Sequence, residues 1–284
     1  MIKNQIKTVL LLGSLTGLFL FIGASLGGRG GLIIALIFAG GINVFSFWFS
    51  DKIVLKMYKA KEADHSEHSK LYDMVKDITI RAKLPMPKVY IVPSQHPNAF
   101  ATGRSPKHAA IACTAGIINL LNDHELKGVL AHELAHVKNR DTLISTISAT
   151  IAGVISYLAM MARWGAIFGG FGGNRDRGNI LEILALAIIA PLMALIIQMA
   201  ISRSREFLAD ESGAKFLHDG SGLASALEKL EKGIQHKPLR PMGTTEATAH
   251  LFIENPFRGS GMFKMFSTHP STKDRVQRLR LMKF

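Results

Sequence analysis

Two histidines separated by three residues form the clearest chemical motif of this sequence. His132 and His136 enclose Glu133, and on a helix residues i and i+4 lie on one face, so that both imidazoles can point at one ion. Zinc suits two imidazoles and one carboxylate. Glu133 is not placed as a ligand, but it can hold a water whose pKa zinc lowers towards neutrality, and take its proton. The motif therefore predicts a zinc site that hydrolyses amides, rather than an ordinary helix with two surface histidines.

A third zinc ligand must come from another part of the chain. Asn139 and Thr142 stand three and six residues after His136, where a metzincin peptidase would have Gly and His, so that class is excluded. We expect Glu206 to be the third ligand and Asp210, one helical turn later, to accept from the N–H of a ligand histidine. Three rivals for the ligand position stay open, namely Glu211, His218 and His236.

The distribution of charge predicts a mostly α-helical membrane protein. The chain has 284 residues, a net charge of +13 and 48% hydrophobic residues, which excludes a disordered chain. It also contains four uncharged stretches of about 20 residues each, the length that crosses a bilayer as a helix. They predict two transmembrane hairpins, with spans at about 8–28 and 30–50, and at about 142–162 and 183–202. A signal peptide is the weaker interpretation of the first stretch, because a second apolar stretch follows at once.

Basic residues around the first hairpin predict its orientation. Lys3 and Lys7 precede it and four lysines follow it, whereas only Arg29 lies between its spans. The N-terminus and the part after residue 50 are therefore expected in the cytoplasm. Arg203 and Arg205 are expected to anchor the last span at the lipid headgroups. The predicted parts are the first hairpin at 1–50, a cytoplasmic segment with the zinc helix at 51–141, the second hairpin at 142–202, and a cytoplasmic segment with the third ligand at 203–284.

The two cytoplasmic segments are expected to form one α+β domain. Asn122 and Glu125 have the spacing of a capping box at the start of the zinc helix. Cys113 is the only cysteine, which excludes an intrachain disulfide, and it is expected to be a small buried residue. The other expected elements are a helix at 67–82, strands at 88–92 and 109–113, an extended segment at 98–102, and a short basic helix from about 271.

The chain resembles the HtpX family of bacterial membrane zinc peptidases. The zinc motif, the segment Ser202–Asp210 and the two apolar stretches before it are similar to that family, and three further segments match it: 98–103, 249–253 and 266–270. The resemblance covers essentially the whole chain. It implies an integral inner-membrane endopeptidase with a cytoplasmic zincin-like domain and one zinc ion per chain. It also implies a role in quality control of misfolded or damaged membrane proteins, and it gives Glu206 as zinc ligand and Asp210 as its support.

Two further roles are expected from this group of peptidases. His269 is similar to a histidine that hydrogen-bonds the reacting carbonyl and so stabilises an oxyanion, although a loop histidine before a proline would look the same. Arg275, in the last helix, is expected to be structural. An edge strand that pairs with extended substrate is expected as well, although an ordinary strand fits equally. Its residues are Asn98, Ala99, Phe100 and Ala101.

Other functions are weaker interpretations of the same residues. A narrow-specificity peptidase of the prenyl-protein type would have more spans and a longer chain. A non-catalytic membrane adaptor with structural zinc would normally close the ion with four protein ligands. Nucleic-acid binding is not expected, because the sequence has no motif for it. The expected partners are membrane lipids and unfolded or damaged membrane proteins, and homo-oligomerisation stays open.

Overall fold

Helices and a four-stranded sheet make up the part of the chain that the structure describes. This computed structural model describes residues 2–141, 144, 148, 151–152, 155–160, 177–236 and 270–284. The helices are α1 (Ile2–Met57), α2 (Ser69–Ala82), α3 (Ala115–Leu120), α4 (Asp123–Asn139), α5 (Arg177–Leu217), α6 (Ser221–His236) and α7 (Thr272–Arg280). The strands are β1 (Lys61–Glu62), β2 (Lys88–Val92), β3 (Ala99–Thr102) and β4 (Ala110–Thr114).

The sheet is mixed, with the order β1-β2-β4-β3. β2 and β4 are parallel, with Lys88 opposite Ala110, whereas β1 and β3 run antiparallel to their neighbours. Among the described strands, β3 therefore has a sheet neighbour on one side only. A parallel pair such as β2 and β4 needs a crossover connection, and here that connection includes β3 itself.

Local sequence signals predicted most of these elements. The expected strand at 88–92 is confirmed, and β4 is shifted by one residue from the expected 109–113. The helix expected at 67–82 begins at Ser69, and the helix expected from about 271 begins at Thr272, with Ser271 as its N-cap. The strand β1 was not expected, because two exposed charged residues carry no strand signal.

The sheet packs on both faces. One face and the helices α2, α4, α6 and α7 share a single apolar core, whose fully buried members include Ile78, Ile111 and Leu130. On the other face, Phe100 packs with Val54, Leu55 and Tyr58 from the end of α1, and the rings of Phe100 and Tyr58 are 5.1 Å apart. This packing fixes β3 next to α4, the helix that carries the zinc motif.

Contacts divide the chain into two compact units, one of residues 1–47 and 145–202 and the other of residues 48–144 and 203–284. The second unit contains the sheet. In the first unit Phe19 and Ile22 of α1 pack with Ile155 and with Ala190 and Ala194 of α5. Among the described residues one helix, Ala187–Leu217, is long and apolar enough to cross a membrane, and Thr16–Ser25 is a shorter apolar helix.

The helix α1 is not straight. Gly28 has φ +55°, and a Cβ on Gly31 would lie 2.2 Å from the carbonyl oxygen of Gly23. Residues eight apart in a straight helix are separated by about 12 Å. The chain therefore folds back at Gly28, where a left-handed backbone suits glycine.

Candidate metal centre

The helix α4 presents both histidines of the motif to one point. Its start is fixed by the expected capping box, in which the Asn122 side chain accepts from the N–H of Glu125 at 2.9 Å and the Glu125 carboxylate accepts from the N–H of Asn122 at 3.0 Å. His132 is 1% exposed. The Nε2 atoms of His132 and His136 are 3.1 Å apart, as the i, i+4 spacing requires for a shared ion.

The third group comes from α5. The Glu206 carboxylate lies 3.4 Å from Nε2 of His136 and 3.6 Å from Nε2 of His132. Gly213 lets α5 approach α4 this closely, because a Cβ at that position would lie 2.9 Å from the backbone nitrogen of His132. Within the part of the chain that the structure describes, His132, His136 and Glu206 are the one group of three such side chains whose ligand atoms converge.

Each of the two imidazoles also contacts a carboxylate of its own, at the ring nitrogen that does not face the other histidine. Nδ1 of His132 lies 2.9 Å from Asp210, and Nδ1 of His136 lies 2.9 Å from Asp141. A carboxylate at Nδ1 makes that nitrogen the donor, which leaves a lone pair on each Nε2. Two lone pairs that face each other at 3.1 Å, with a carboxylate beside them, make a candidate cation site. Ligands of tetrahedral zinc are about 3.4 Å apart, so these residues fit that ion.

Asp141 was not singled out in the sequence, and its position depends on how α4 ends. Arg140 has φ +57°, and its N–H bonds to the carbonyls of His136 and Val137. This left-handed cap reverses the chain so that Asp141 returns to the ring of His136. No local pattern marks an aspartate five residues after a histidine as its partner.

Arg205 is not a headgroup anchor, and that expectation is wrong for this residue. It is 3% exposed, its guanidinium forms an ion pair with Asp141, and Nη2 donates to the carbonyl of Asn139 at 2.8 Å. The charge of Asp141 attracts it inwards, since a buried carboxylate needs a partner.

Arg275 of α7 reaches the same site from the end of the sequence. It is 0% exposed, and its Nε and Nη2 donate to the two oxygens of Asp210 at 2.9 and 2.7 Å. Its Nη1 lies 3.3 Å from Glu206. The guanidinium thus neutralises part of the negative charge of two buried carboxylates, one of them next to His132.

Glu133 lies on α4 beside this group and is held by β3. Its Oε2 accepts from the N–H of Ala101 at 3.0 Å. Burial raises the pKa of the Glu133 carboxyl, while His132 and His136 act in the opposite direction. A carboxylate with a raised pKa is better suited to take a proton near neutral pH.

The segment expected to bind substrate is the edge strand β3. Asn98 accepts from the N–H of Thr114 at 2.9 Å, so its carbonyl faces β4. In an antiparallel pair this direction alternates, and the N–H and C=O groups of Ala99 and Ala101 therefore face away from β4. Asn98, Ala99, Phe100 and Ala101 are buried as whole residues, each at most 5% exposed, so the backbone of this segment is covered as well as its side chains.

The remaining candidates lie apart from the group or outside the described residues. Glu211 is exposed and pairs with Lys215 at 2.5 Å, and His218 is exposed near Phe284. His236 ends α6, and its side chain lies outside what the structure describes. His269 and the matched segments 249–253 and 266–269 lie outside the described residues as well.

Comparisons with known proteins agree with this fold and motif. Residues 65–283 match peptidase family M48. The chain is 54% identical over 278 residues to the protease HtpX homolog of Desulfatibacillum aliphaticivorans, covering 97% of this chain and 89% of that protein. It is 50% identical over 275 residues to the protease HtpX homolog of Pyrococcus furiosus, covering 97% and 94%.

A solved structure shares the fold. The crystal structure of S. mikatae Ste24p superimposes with a TM-score of 0.54 at 18% identity, over 98% of this chain. This chain spans 65% of the length of that one. From its sequence relatives and the family match, the chain belongs to peptidase family M48 and, within it, to the HtpX proteins.

Proposed function

We propose that the chain is a zinc-dependent endopeptidase of the cell membrane, with His132, His136 and Glu206 as zinc ligands and Glu133 as general base. The observation that carries the proposal is the convergence of two imidazole Nε2 atoms and one carboxylate, with a second, buried carboxylate beside them. Three protein ligands leave a coordination position for water or substrate, which is typical of catalytic rather than structural zinc. One zinc ion per chain is proposed, in agreement with the one such group among the described residues.

Each residue of the site is proposed to have a separate role in the reaction. A zinc ion held there would supply Lewis acidity, which polarises a carbonyl and acidifies water. Glu133 would accept the proton of the attacking water and pass it to the leaving amine. Asp210 and Asp141 would keep the two imidazoles in the tautomer that leaves Nε2 free to bind a metal. His269 is proposed to donate to the developing oxyanion.

The substrate is proposed to be an extended polypeptide. The N–H and C=O of Ala99 and the C=O of Ala101 point away from β4, while the N–H of Ala101 is taken by Glu133. We propose that an extended segment pairs with these outward groups once this buried edge is uncovered. Backbone recognition places little demand on side chains. It therefore suits a peptidase that acts on many unfolded segments.

The membrane arrangement proposed here has two helical hairpins. The apolar helix Ala187–Leu217, the apolar segment Thr16–Ser25 and the reversal at Gly28 support it. The lysines after residue 50 favour a cytoplasmic catalytic unit in the inner, or plasma, membrane. Membrane lipids and unfolded or damaged membrane proteins are the proposed partners, in protein quality control, with self-association left to measurement.

The deciding experiment compares wild type with Glu133→Gln in detergent. Each protein is given an unfolded model substrate, with added zinc or with chelator, and bound zinc is measured in parallel. Wild type is expected to cut only with zinc, whereas Glu133→Gln is expected to bind zinc and not to cut.

A matched control is Glu211→Gln, which removes an exposed carboxylate immediately after Asp210 on α5. It should cut like wild type. If Glu133→Gln cuts as fast as wild type, Glu133 is not the base. If wild type binds zinc and cuts no unfolded substrate, the endopeptidase proposal is wrong.

A further inference from the structure

We propose that Arg205 is a positioning residue for the metal site, acting on His136 through Asp141. This inference rests on the proposed function in that it assumes a metal at His132, His136 and Glu206. It goes beyond that function by assigning a task to two residues that bind neither metal nor substrate.

A continuous series of contacts joins α4, which carries two of the candidate ligands, to α5, which carries the third. The Arg205 guanidinium pairs with Oδ1 of Asp141, and Oδ2 of Asp141 lies 2.9 Å from Nδ1 of His136. The same guanidinium donates to the carbonyl of Asn139, the last residue of α4, at 2.8 Å. Arg205 is also the immediate neighbour of Glu206 on α5. One side chain therefore joins the end of the helix with two ligands to the helix with the third.

Because both side chains are buried, the loss of either Arg205 or Asp141 should disturb this series of contacts. Arg205 is 3% exposed and Asp141 is 2% exposed, so water replaces neither partner easily. Without Arg205, the buried carboxylate of Asp141 loses the cationic partner that holds it in place. A shift of this carboxylate alters the hydrogen bond that fixes the ring of His136. Partners at this distance from a metal typically change its affinity by about 10–100-fold.

The geometry of Arg205 suits this task better than a lysine would. A planar guanidinium can address a carboxylate and a carbonyl at the same time in fixed directions, whereas an ammonium acts as a point charge on a flexible stem. The left-handed Arg140 brings both acceptors, the Asn139 carbonyl and the Asp141 carboxylate, to the same side of the end of α4.

The test measures metal binding rather than proteolysis. Detergent-purified wild type, Arg205→Gln, Arg205→Lys and Asp141→Asn are titrated with zinc against a competing chelator. Cobalt is then added to each metal-free protein, and its visible absorption reports the coordination geometry. Unfolding midpoints of the metal-free proteins are recorded alongside. Arg280→Gln is the control, because it removes an exposed arginine that pairs with Glu228 at 2.9 Å.

We expect Arg205→Gln to weaken zinc binding about 10–100-fold and to change the cobalt spectrum, with Arg205→Lys intermediate and Arg280→Gln unchanged. The double variant Arg205→Gln/Asp141→Asn should be little worse than either single variant, since both act on one hydrogen bond. Additive losses, or an unchanged cobalt spectrum in Arg205→Gln, would overturn the proposal. Should Arg205→Gln not fold, Arg205→Lys and Asp141→Asn decide it on the same readouts. Failure of wild type to bind zinc would instead count against the proposed function.

Discussion

At the scale of single residues, the candidate metal centre consists of three potential ligands and a shell of ion pairs around them. Asp210 accepts from Arg275 and lies against His132, so its charge both orients a ligand and neutralises a buried cation. We expect Asp210→Asn to weaken zinc binding about 10–100-fold, because the amide keeps the shape of the side chain but loses its charge. Competition with a chelator measures this loss.

The control for this prediction is Asp77→Asn, which removes a carboxylate that pairs with Lys127 at 2.6 Å, away from the centre. Its affinity for zinc should equal that of wild type. Equal affinity in Asp210→Asn would show that the carboxylate does not act on His132.

The sequence allowed prediction of the three candidate ligands and of Asp210, but it missed the other charged side chains that tertiary packing brings to them. The spacing of His132 and His136 is enough to place both on one face of α4. Asp141 and Arg205 meet only because α4 ends in a left-handed residue and α5 packs beside it. Arg275 stands 143 positions after His132, and no local pattern separates a buried arginine from an exposed one.

At the scale of elements, a close approach of helices sets the distance between the ligands. A Cβ on Gly213 would lie 2.9 Å from backbone atoms of Ala131 and His132. We expect Gly213→Ala to destabilise the protein by about 1–3 kcal/mol, because the added methyl group forces α5 away from α4. It should also weaken zinc binding, because Glu206 moves with α5. Unfolding in denaturant and chelator competition measure the two effects.

Gly233→Ala provides the comparison, since Gly233 lies in α6 and a Cβ there meets nothing within 4 Å. That change should raise stability slightly, by about 0.5–1 kcal/mol, because alanine favours helix over glycine. If both glycine variants behave alike, close packing at Gly213 does not set the site.

The start of α4 gives the protein a dependence on pH. Burial of Glu125 favours its neutral form, but hydrogen bonds from Lys229, Asn122 and Ser225 outweigh it and lower the pKa of this carboxyl. Its stabilisation is therefore full above the pKa of an unfolded glutamate, about 4.3, and is lost as the pH falls through the lower value in the folded protein.

We expect Glu125→Gln to be less stable than wild type at pH 7 and nearly equal to it at strongly acid pH. Unfolding midpoints in detergent across this range measure the difference. A constant difference at every pH would mean that the charge of Glu125 is not what stabilises α4.

Helices and strands were predicted correctly where the local sequence signal is strong. They were shifted or missed where pairing with another part of the chain determines the structure. The capping box at Asn122 is complete within four residues, and the run of Val and Ile in β2 has high strand propensity. The alanines of β4 carry a weak signal, which explains the shift of one residue. The short strand β1 exists only through its pairing with β2, and pairing cannot be inferred from Lys61 and Glu62 alone.

At the scale of the whole molecule, the proposed topology is open to direct labelling. The chain has one cysteine, Cys113, which is fully buried. Burial, with a smaller effect of Glu133, raises the pKa of its thiol to about 12. Since the thiolate is the reactive form, the natural protein should give little background with a thiol reagent.

Two introduced cysteines then report the two sides of the membrane. Glu67→Cys and Arg29→Cys replace exposed residues, one in the catalytic unit and one beside the reversal at Gly28. A membrane-impermeant thiol reagent should label Glu67→Cys in inside-out vesicles and Arg29→Cys in right-side-out vesicles. Labelling of both from the same side would contradict the single span predicted between them, at about 30–50.

The burial of Arg275 affects the order in which the site can form during protein synthesis. A chain is synthesised from its N-terminus, and its segments begin to fold as they emerge. The zinc motif on α4 is made early, but the charge that stabilises Asp210 and contacts Glu206 arrives only with α7. Until residue 275 has left the ribosome, Asp210 and Glu206 lack this cationic partner, so the nascent chain would carry its peptidase residues in an incomplete and less active form.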